Sequence, residues 1–242
     1  MQTEWYGAAS RGYARYDWLT THYSFSFASY YDKTRMGFGA LRVLNDDAIA
    51  PESGFGRHGH DNMEIITIPL SGSLKHEDSM GNSAVIETGE VQVMSAGTGV
   101  EHAEYNASPN DELTLLQIWI RTETQDVMPR YDQRRFDALE YRNRLFPVVG
   151  KIGEQGALGI HQDARIFLGR FESEQSFSHD LERPSRGVYF FVIDGAVTVA
   201  GKMLEKRDAL GVWDTEAVAV TAQTGAFLLV IEVPMGDGIL EE

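Results

Sequence analysis

Residues 68–74 read Ile68-Pro69-Leu70-Ser71-Gly72-Ser73-Leu74, and residues 191–197 read Phe191-Val192-Ile193-Asp194-Gly195-Ala196-Val197. Each is an apolar strand, a glycine turn and the start of a second strand, which is the pattern of a hairpin. Gly89 to Ala96 lies loosely on Arg207 to Asp214 in the same way. One small all-β unit repeated twice predicts two antiparallel barrels in a single chain of 242 residues.

The rest of the chain has the same texture. Apolar and polar residues alternate with period two in short runs from Thr20 to Ala28, Gly37 to Leu44, Met63 to Leu70, Ser73 to Glu77, Gly89 to Met94, Ala103 to Asn106 and Leu113 to Arg121. Met80-Gly81-Asn82 and Gly97-Thr98-Gly99 supply turn residues between them. From Arg130 to Leu145 arginines and carboxylates crowd a stretch poor in β-branched residues, and a glycine-rich segment from Gly150 to Gly159 follows. A connector is expected there. It divides the chain into an N-terminal metal-binding barrel, residues 1–140, and a C-terminal barrel without a metal site, residues 141–242, in which β texture resumes from Ile166 to Val233.

Composition narrows the function classes. Lys and Arg number 21 against 36 Asp and Glu, a formal net charge of −15. Phosphate backbones and anionic membrane surfaces would repel such a chain, so neither direct nucleic-acid binding nor a membrane partner is expected. No apolar run approaches the roughly 18 residues of a membrane span, and the first thirty residues lack a basic region followed by an apolar one. A soluble, cytoplasmic protein is the expectation. With no cysteine in the chain, thiolate nucleophiles, disulfides and sulfur-ligated clusters are excluded, so any metal must be held by histidine and carboxylate.

Those ligands occur in two places. His58-Gly59-His60 and His102-Ala103-Glu104 each set two metal-ligating side chains two residues apart, and a strand projects residues i and i+2 from one face. Two such strands in one barrel can gather three imidazoles and a carboxylate, a donor set suited to a divalent transition metal with two of six positions left open. Glycine-rich turns precede both pairs. Elsewhere, His22 and His76 read as surface residues on the polar phase of their strands, His161 as a turn residue and His179 as part of a solvated loop. No second HxH or HxE pair occurs after residue 140. Tyr23, Phe25, Phe27 and Phe38 suit either barrel core or the wall of a pocket for a flat aromatic molecule.

The run Gly54-Phe55-Gly56-Arg57-His58-Gly59-His60-Asp61-Asn62-Met63-Glu64, the turn Asp78-Ser79-Met80-Gly81-Asn82 and the run from Met94 to Glu104 resemble the pirin family of bicupins, especially its bacterial members with quercetin 2,3-dioxygenase activity. Leu116 to Ile120 and Pro129 to Phe136 extend the resemblance over the N-terminal half. The resemblance implies an all-β bicupin, with metal ligands His58, His60, His102 and Glu104. It leaves Glu64 outside the ligand set, in a supporting or structural place. Fe(II) is the first choice of metal, because mixed histidine and carboxylate ligation with open positions resembles non-haem iron oxygenase sites; copper, nickel, manganese, cobalt and zinc remain open.

The activity implied is oxygen-dependent cleavage of a flavonol-like aromatic substrate. The substrate's 3-hydroxyl coordinates the metal, O2 adds across C2 and C4, and the ring opens with release of carbon monoxide. Glu104 is the nearest carboxylate to take the hydroxyl proton, and a Glu104 that coordinates poorly would pass the base role to Glu64. A second reading is a metal-dependent, redox-responsive regulatory protein that binds a protein partner without turnover. A third, a sugar epimerase or isomerase on the same scaffold, has no need of four ligands.

Overall fold

The computed structural model describes residues 1–183 and 185–236, most of them in antiparallel strands. The first half carries β1 (Gln2–Tyr6), β2 (Gly12–Arg15), β3 (Leu19–Tyr23), β4 (Leu41–Ile49), β5 (Gly54–His60), β6 (Met63–Ser71), β7 (Ser73–Asp78), β8 (Ser83–Glu87), β9 (Glu90–Ser95), β10 (Val100–Asn106), β11 (Leu113–Arg121) and β12 (Arg130–Arg135). The second half carries β13 (Phe146–Lys151), β14 (Leu158–Ile160), β15 (Arg165–Arg170), β16 (Gln175–Asp180), β17 (Arg186–Asp194), β18 (Ala196–Val199), β19 (Lys202–Glu205), β20 (Ala209–Trp213), β21 (Ala217–Ala222) and β22 (Phe227–Pro234). No helix among the described residues is long and apolar enough to cross a membrane.

Each half is a jelly roll of a seven-stranded and a four-stranded sheet. The first pairs β12-β9-β6-β11-β4-β3-β2 with β5-β10-β7-β8, and the second pairs β1-β20-β17-β22-β15-β13-β14 with β16-β21-β18-β19. The architecture is therefore an all-β bicupin, with each cupin built as two facing sheets. The first strand crosses over: β1 pairs with β20, completing the large sheet of the second half.

Period two explains the packing. On β6 and β11, Ile66, Ile68, Leu116 and Ile118 point out of the first jelly roll and form one buried cluster with Phe191, Leu229 and Ile231 from β17 and β22 of the second. The two large sheets thus bury their outer faces against each other, and each fully buried side chain of this kind contributes about 1.5–3 kcal/mol. Behind the seam the halves differ. The second jelly roll has one continuous interior of Val188, Phe190, Val197, Val199, Val218 and Val220 among others. The first is split, with Leu19, Ile49, Leu74, Ile86, Leu113 and Leu115 at one end and Met63, Ile65, Met94, Ala96 and Val100 at the other. Polar residues fill the gap, among them Asn45, Asp47, Thr67, His76, His102 and Glu104, all buried.

Several sequence expectations change. Thr20 to Ala28 is not one strand, because the backbone leaves the sheet after Tyr23 and Ala28 takes a positive φ of 50°. The stretch from Arg130, expected as connector, opens with β12, which pairs with β9 as an edge strand. Charged side chains suit such an edge and hide its strand character. His179 is not in a solvated loop; it lies buried on β16, two residues from Phe177 on the same face, with Nε2 3.4 Å from Glu232. His161 does sit at a bend, where its carbonyl accepts from Thr122.

Glu232 is tied down by Arg186, itself only 1% exposed, at 2.8 Å, while the other guanidinium nitrogen reaches Asp163 at 2.8 Å. Burial alone would raise the Glu232 carboxyl; the neighbouring His179 and Arg186 hold it below the usual range. Arg186→Met is expected to cost about 3–5 kcal/mol in urea unfolding, because Glu232 loses its cation inside the protein, and adding Glu232→Leu is expected to recover most of the loss. A double variant no more stable than the single one would show that the pair is not the source of the effect.

Candidate metal centre

Strands β5 and β10 are hydrogen-bonded neighbours, with His102 directly opposite His58. His60 shares a face with His58, so three imidazoles meet. His102 Nε2 lies 3.0 Å from His58 Nε2 and 2.9 Å from His60 Nε2. The backbone makes this approach possible: a side chain on Gly54 would strike the Glu104 carbonyl across the strand pair, and Gly97, at φ +49°, lets the loop before β10 tuck under the Val127 carbonyl.

Local bonds set the chemical state of these rings. His58 Nδ1–H donates to the Gly56 carbonyl at 2.7 Å; a carbonyl can only accept, so the Nε2 of neutral His58 carries the lone pair. Burial and the His58 ring push the His60 pKa down to about 4, and burial with the rings of His58, His60 and His76 pushes His102 down to about 2. Near neutral pH His60 and His102 are therefore uncharged. One N–H on His102 can point at one neighbour only, which leaves the other close nitrogen contact without a proton. A cation shared by all three nitrogens removes that conflict. Two nitrogens at right angles on a transition metal about 2.1 Å away are separated by about 3.0 Å, the spacing found here. The donor set fits a metal ion.

Glu104 is close by but arranged differently. It belongs with His76 and His102 to a second, overlapping group of ligand atoms within 4.8 Å of one another, rather than to the group of three imidazoles itself. Gln117 Nε2 donates to Glu104 Oε2 at 3.0 Å, and the Thr67 hydroxyl reaches Oε1 at 3.4 Å while also donating to the Gln117 amide oxygen at 2.9 Å. Burial raises the Glu104 carboxyl to about 7 against the hydrogen bond from Gln117, and Asp47 adds to the rise. Thr67 and Gln117 face each other across β6 and β11, so the large sheet holds this carboxyl in place.

His76 is not a surface residue. It is fully buried, opposite Glu104 in the strand register, with its ring centred 5.4 Å from that of His102 and 4.8 Å from Tyr131. Its Nε2 lies 3.2 Å from Asp78, whose carboxylate also accepts from the backbone N–H groups of Met80 and Asn82. Leu74, two residues earlier on the same buried face, was the available signal. Glu64 turns away: it is on the opposite face of β6 from Thr67, accepts from Ser95 Oγ at 2.6 Å, and burial raises its carboxyl.

Beside the histidines opens a cavity of about 390 Å³. Trp18, Phe27, Phe55 and Trp119 form its apolar walls, while Asn45, Asp47, Gln117, His58, His60 and Glu104 contribute the polar part. Trp119 packs edge-on to His60 with ring centres 4.8 Å apart. Of the four aromatic residues expected as core or pocket wall, Phe27 lines the cavity, Tyr23 packs behind it, and Phe25 and Phe38 are core. Trp18, Asn45 and Asp47 had no motif to mark them, and Gln117 and Trp119, though inside the run from Leu116 to Ile120 that carries the resemblance, were assigned no role there. An aromatic-walled cavity of this size next to a lone-pair cluster can hold a flat molecule with one polar edge toward a metal.

Comparisons with known proteins agree with this geometry. Residues 7–120 match the family model described as Pirin, and residues 148–233 match the quercetinase C-terminal cupin domain. Quercetin 2,3-dioxygenase of Escherichia coli is 41% identical over 227 residues, covering 94% of this chain and 96% of that protein. A pirin-like protein of Caulobacter vibrioides is 36% identical over 91% of this chain and 95% of its own length. Among solved structures, bacterial pirin YhhW of Escherichia coli in complex with nickel(II) superposes with a TM-score of 0.92 at 38% identity, over 97% of this chain and 100% of that one. Identity at this level across both jelly rolls leaves one conclusion: the chain belongs to the pirin family.

Proposed function

We propose that this protein is a metal-dependent dioxygenase that cleaves flavonols such as quercetin with O2 and releases carbon monoxide. The proposed ligands are His58, His60, His102 and Glu104, and the proposed metal is Fe(II). The observation that carries the reading is the meeting of three imidazole Nε2 atoms, those of His58 and His60 lying 3.0 and 2.9 Å from that of His102, beside an aromatic-lined cavity whose wall includes His58 and His60. The names of the similar proteins from Escherichia coli support the substrate class.

A bound divalent metal would supply a Lewis-acidic position for the enol oxygen and a redox partner for O2. The chain's own groups do the rest. His58, with its Nδ1–H on the Gly56 carbonyl, presents a fixed lone pair. Trp18, Phe27, Phe55 and Trp119 hold the flat ring system and keep water off it. Gln117 engages Glu104 Oε2, which leaves Oε1, with only the long contact to Thr67, as the oxygen that takes the 3-hydroxyl proton. Glu64 is not offered as the base, since it sits on the far face of β6.

The decisive experiment follows quercetin loss and carbon monoxide release in air, with protein reconstituted anaerobically with Fe(II). Wild type is expected to turn over and His60→Ala to lose both metal and turnover. Absence of turnover with metal demonstrably bound would remove the enzyme reading in favour of a regulatory one. For the proton transfer, Glu104→Gln is expected to lower turnover by about 10²-fold or more while metal content falls far less. Equal loss of both would show that Glu104 is only a ligand.

A further inference from the structure

The large sheet of the first jelly roll lays a row of polar side chains beneath the cavity. Asn45 on β4 is in register with Gln117 on β11, which is in register with Thr67 on β6. Gln117 and Thr67 are committed to Glu104. Asn45 and Asp47 are not. They sit two residues apart on β4, so both face inward; both line the cavity and both are only 4% exposed. The Asn45 Oδ1 and Asp47 Oδ1 atoms have no hydrogen-bond donor, and the hydroxyl of Thr21, opposite Asp47 on β3, is likewise buried without a partner. A carboxyl buried for structure is normally paired on both oxygens.

The second jelly roll shows that the fold does not require these groups. Laying Ile68 on Phe191, as the repeat dictates, and following the strand registers places Phe167 where the first half has Asn45, and Gly169 where it has Asp47. The neighbouring Gln117 becomes Val230. The second copy is apolar at this place, with Phe167 in the wall of its own cavity, whereas the first copy keeps two acceptors there at a cost in stability.

We propose that Asn45 and Asp47 are a specificity-determining pair that accepts hydrogen bonds from ring hydroxyls of the substrate, making the cavity selective for polyhydroxylated aromatic enols over bare ones of the same shape. The proposal rests on the flavonol reading above. A site built to pair with a hydroxyl rejects the analogue that lacks it, because the acceptors are then left dry and empty.

Binding of quercetin and of 3-hydroxyflavone, which lacks the other ring hydroxyls, is measured anaerobically by quenching of tryptophan fluorescence in the metal-reconstituted protein; Trp18 and Trp119 line the cavity. Wild type is expected to prefer quercetin by about 10-fold or more. Asp47→Leu is expected to lose most of that preference through weaker quercetin binding alone, and to melt at a higher temperature, since a buried unpaired acceptor is removed. Asp47→Asn, which keeps the shape and an acceptor oxygen, is expected to retain part of the preference and covers the case of a leucine variant that does not fold. Equal affinity of wild type for the two compounds overturns this proposal and leaves the flavonol reading standing. A lower melting temperature of Asp47→Leu, with both affinities reduced alike, assigns Asp47 to structure and overturns it as well. Failure of wild type to bind either compound overturns both readings together.

Discussion

The seam between the two large sheets is the constraint on which the rest of this molecule depends. A strand has two faces, and on β6 and β11 the one that carries Ile66, Ile68, Leu116 and Ile118 is spent on the partner sheet. Whatever stands at the alternate positions must then face the interior of its own jelly roll. In the second half those positions include Val188, Phe190, Leu228 and Val230, which join one continuous apolar core, and the opening beside that core is lined by Phe167, His179 and Glu232. In the first half they include Thr67 and Gln117, with Asn45 and Asp47 beside them on β4, and the interior opens into a cavity with apolar clusters at its two ends. The strength of the seam is what makes an interrupted interior tolerable, since polar burial without full pairing costs about 1–3 kcal/mol per group.

Much of this was readable from residues. Period-two alternation and the glycine hairpins gave the all-β character and the repeat, because a strand's side-chain period does not depend on what packs against it. The pairs His58/His60 and His102/Glu104 stood out for the same reason: i and i+2 share a face whatever the fold, although the spacing did not say that their two strands are neighbours. The structure brings the three histidines together and sets Glu104 beside them through His102 and His76.

The misreadings concern which polar residues lie inside. A polar residue on an amphipathic strand is ordinarily assigned to the water side, and that assumption put His76 outside; His179 was placed outside by reading its strand as a solvated loop. Both are inside, each two residues along from an apolar neighbour, Leu74 or Phe177, that shares its face. Asn45 and Asp47 carry no motif, and Gln117, though within the run from Leu116 to Ile120, had no role assigned to it. Inside the first jelly roll the usual rule is inverted, because the outer face of its large sheet is the oily one, and sequence alone does not say which face of a strand meets solvent and which meets a second sheet.

The repeat has a consequence for how such a protein can change over time. Where the first half has His102 and Glu104, the register places Val218 and Val220 in the second, and where the first has His58 the second has His179, engaged with Glu232 rather than with other imidazoles. A duplicated unit separates two demands that a lone jelly roll must meet together, to cohere and to react. Here one copy serves as ballast, and its continuous apolar core gives the other latitude to accept substitutions around the cavity that would unfold a solitary barrel. Variation among proteins built on this plan is therefore channelled: the wall of the first cavity can drift toward new ligands for as long as the seam and the second core are left intact.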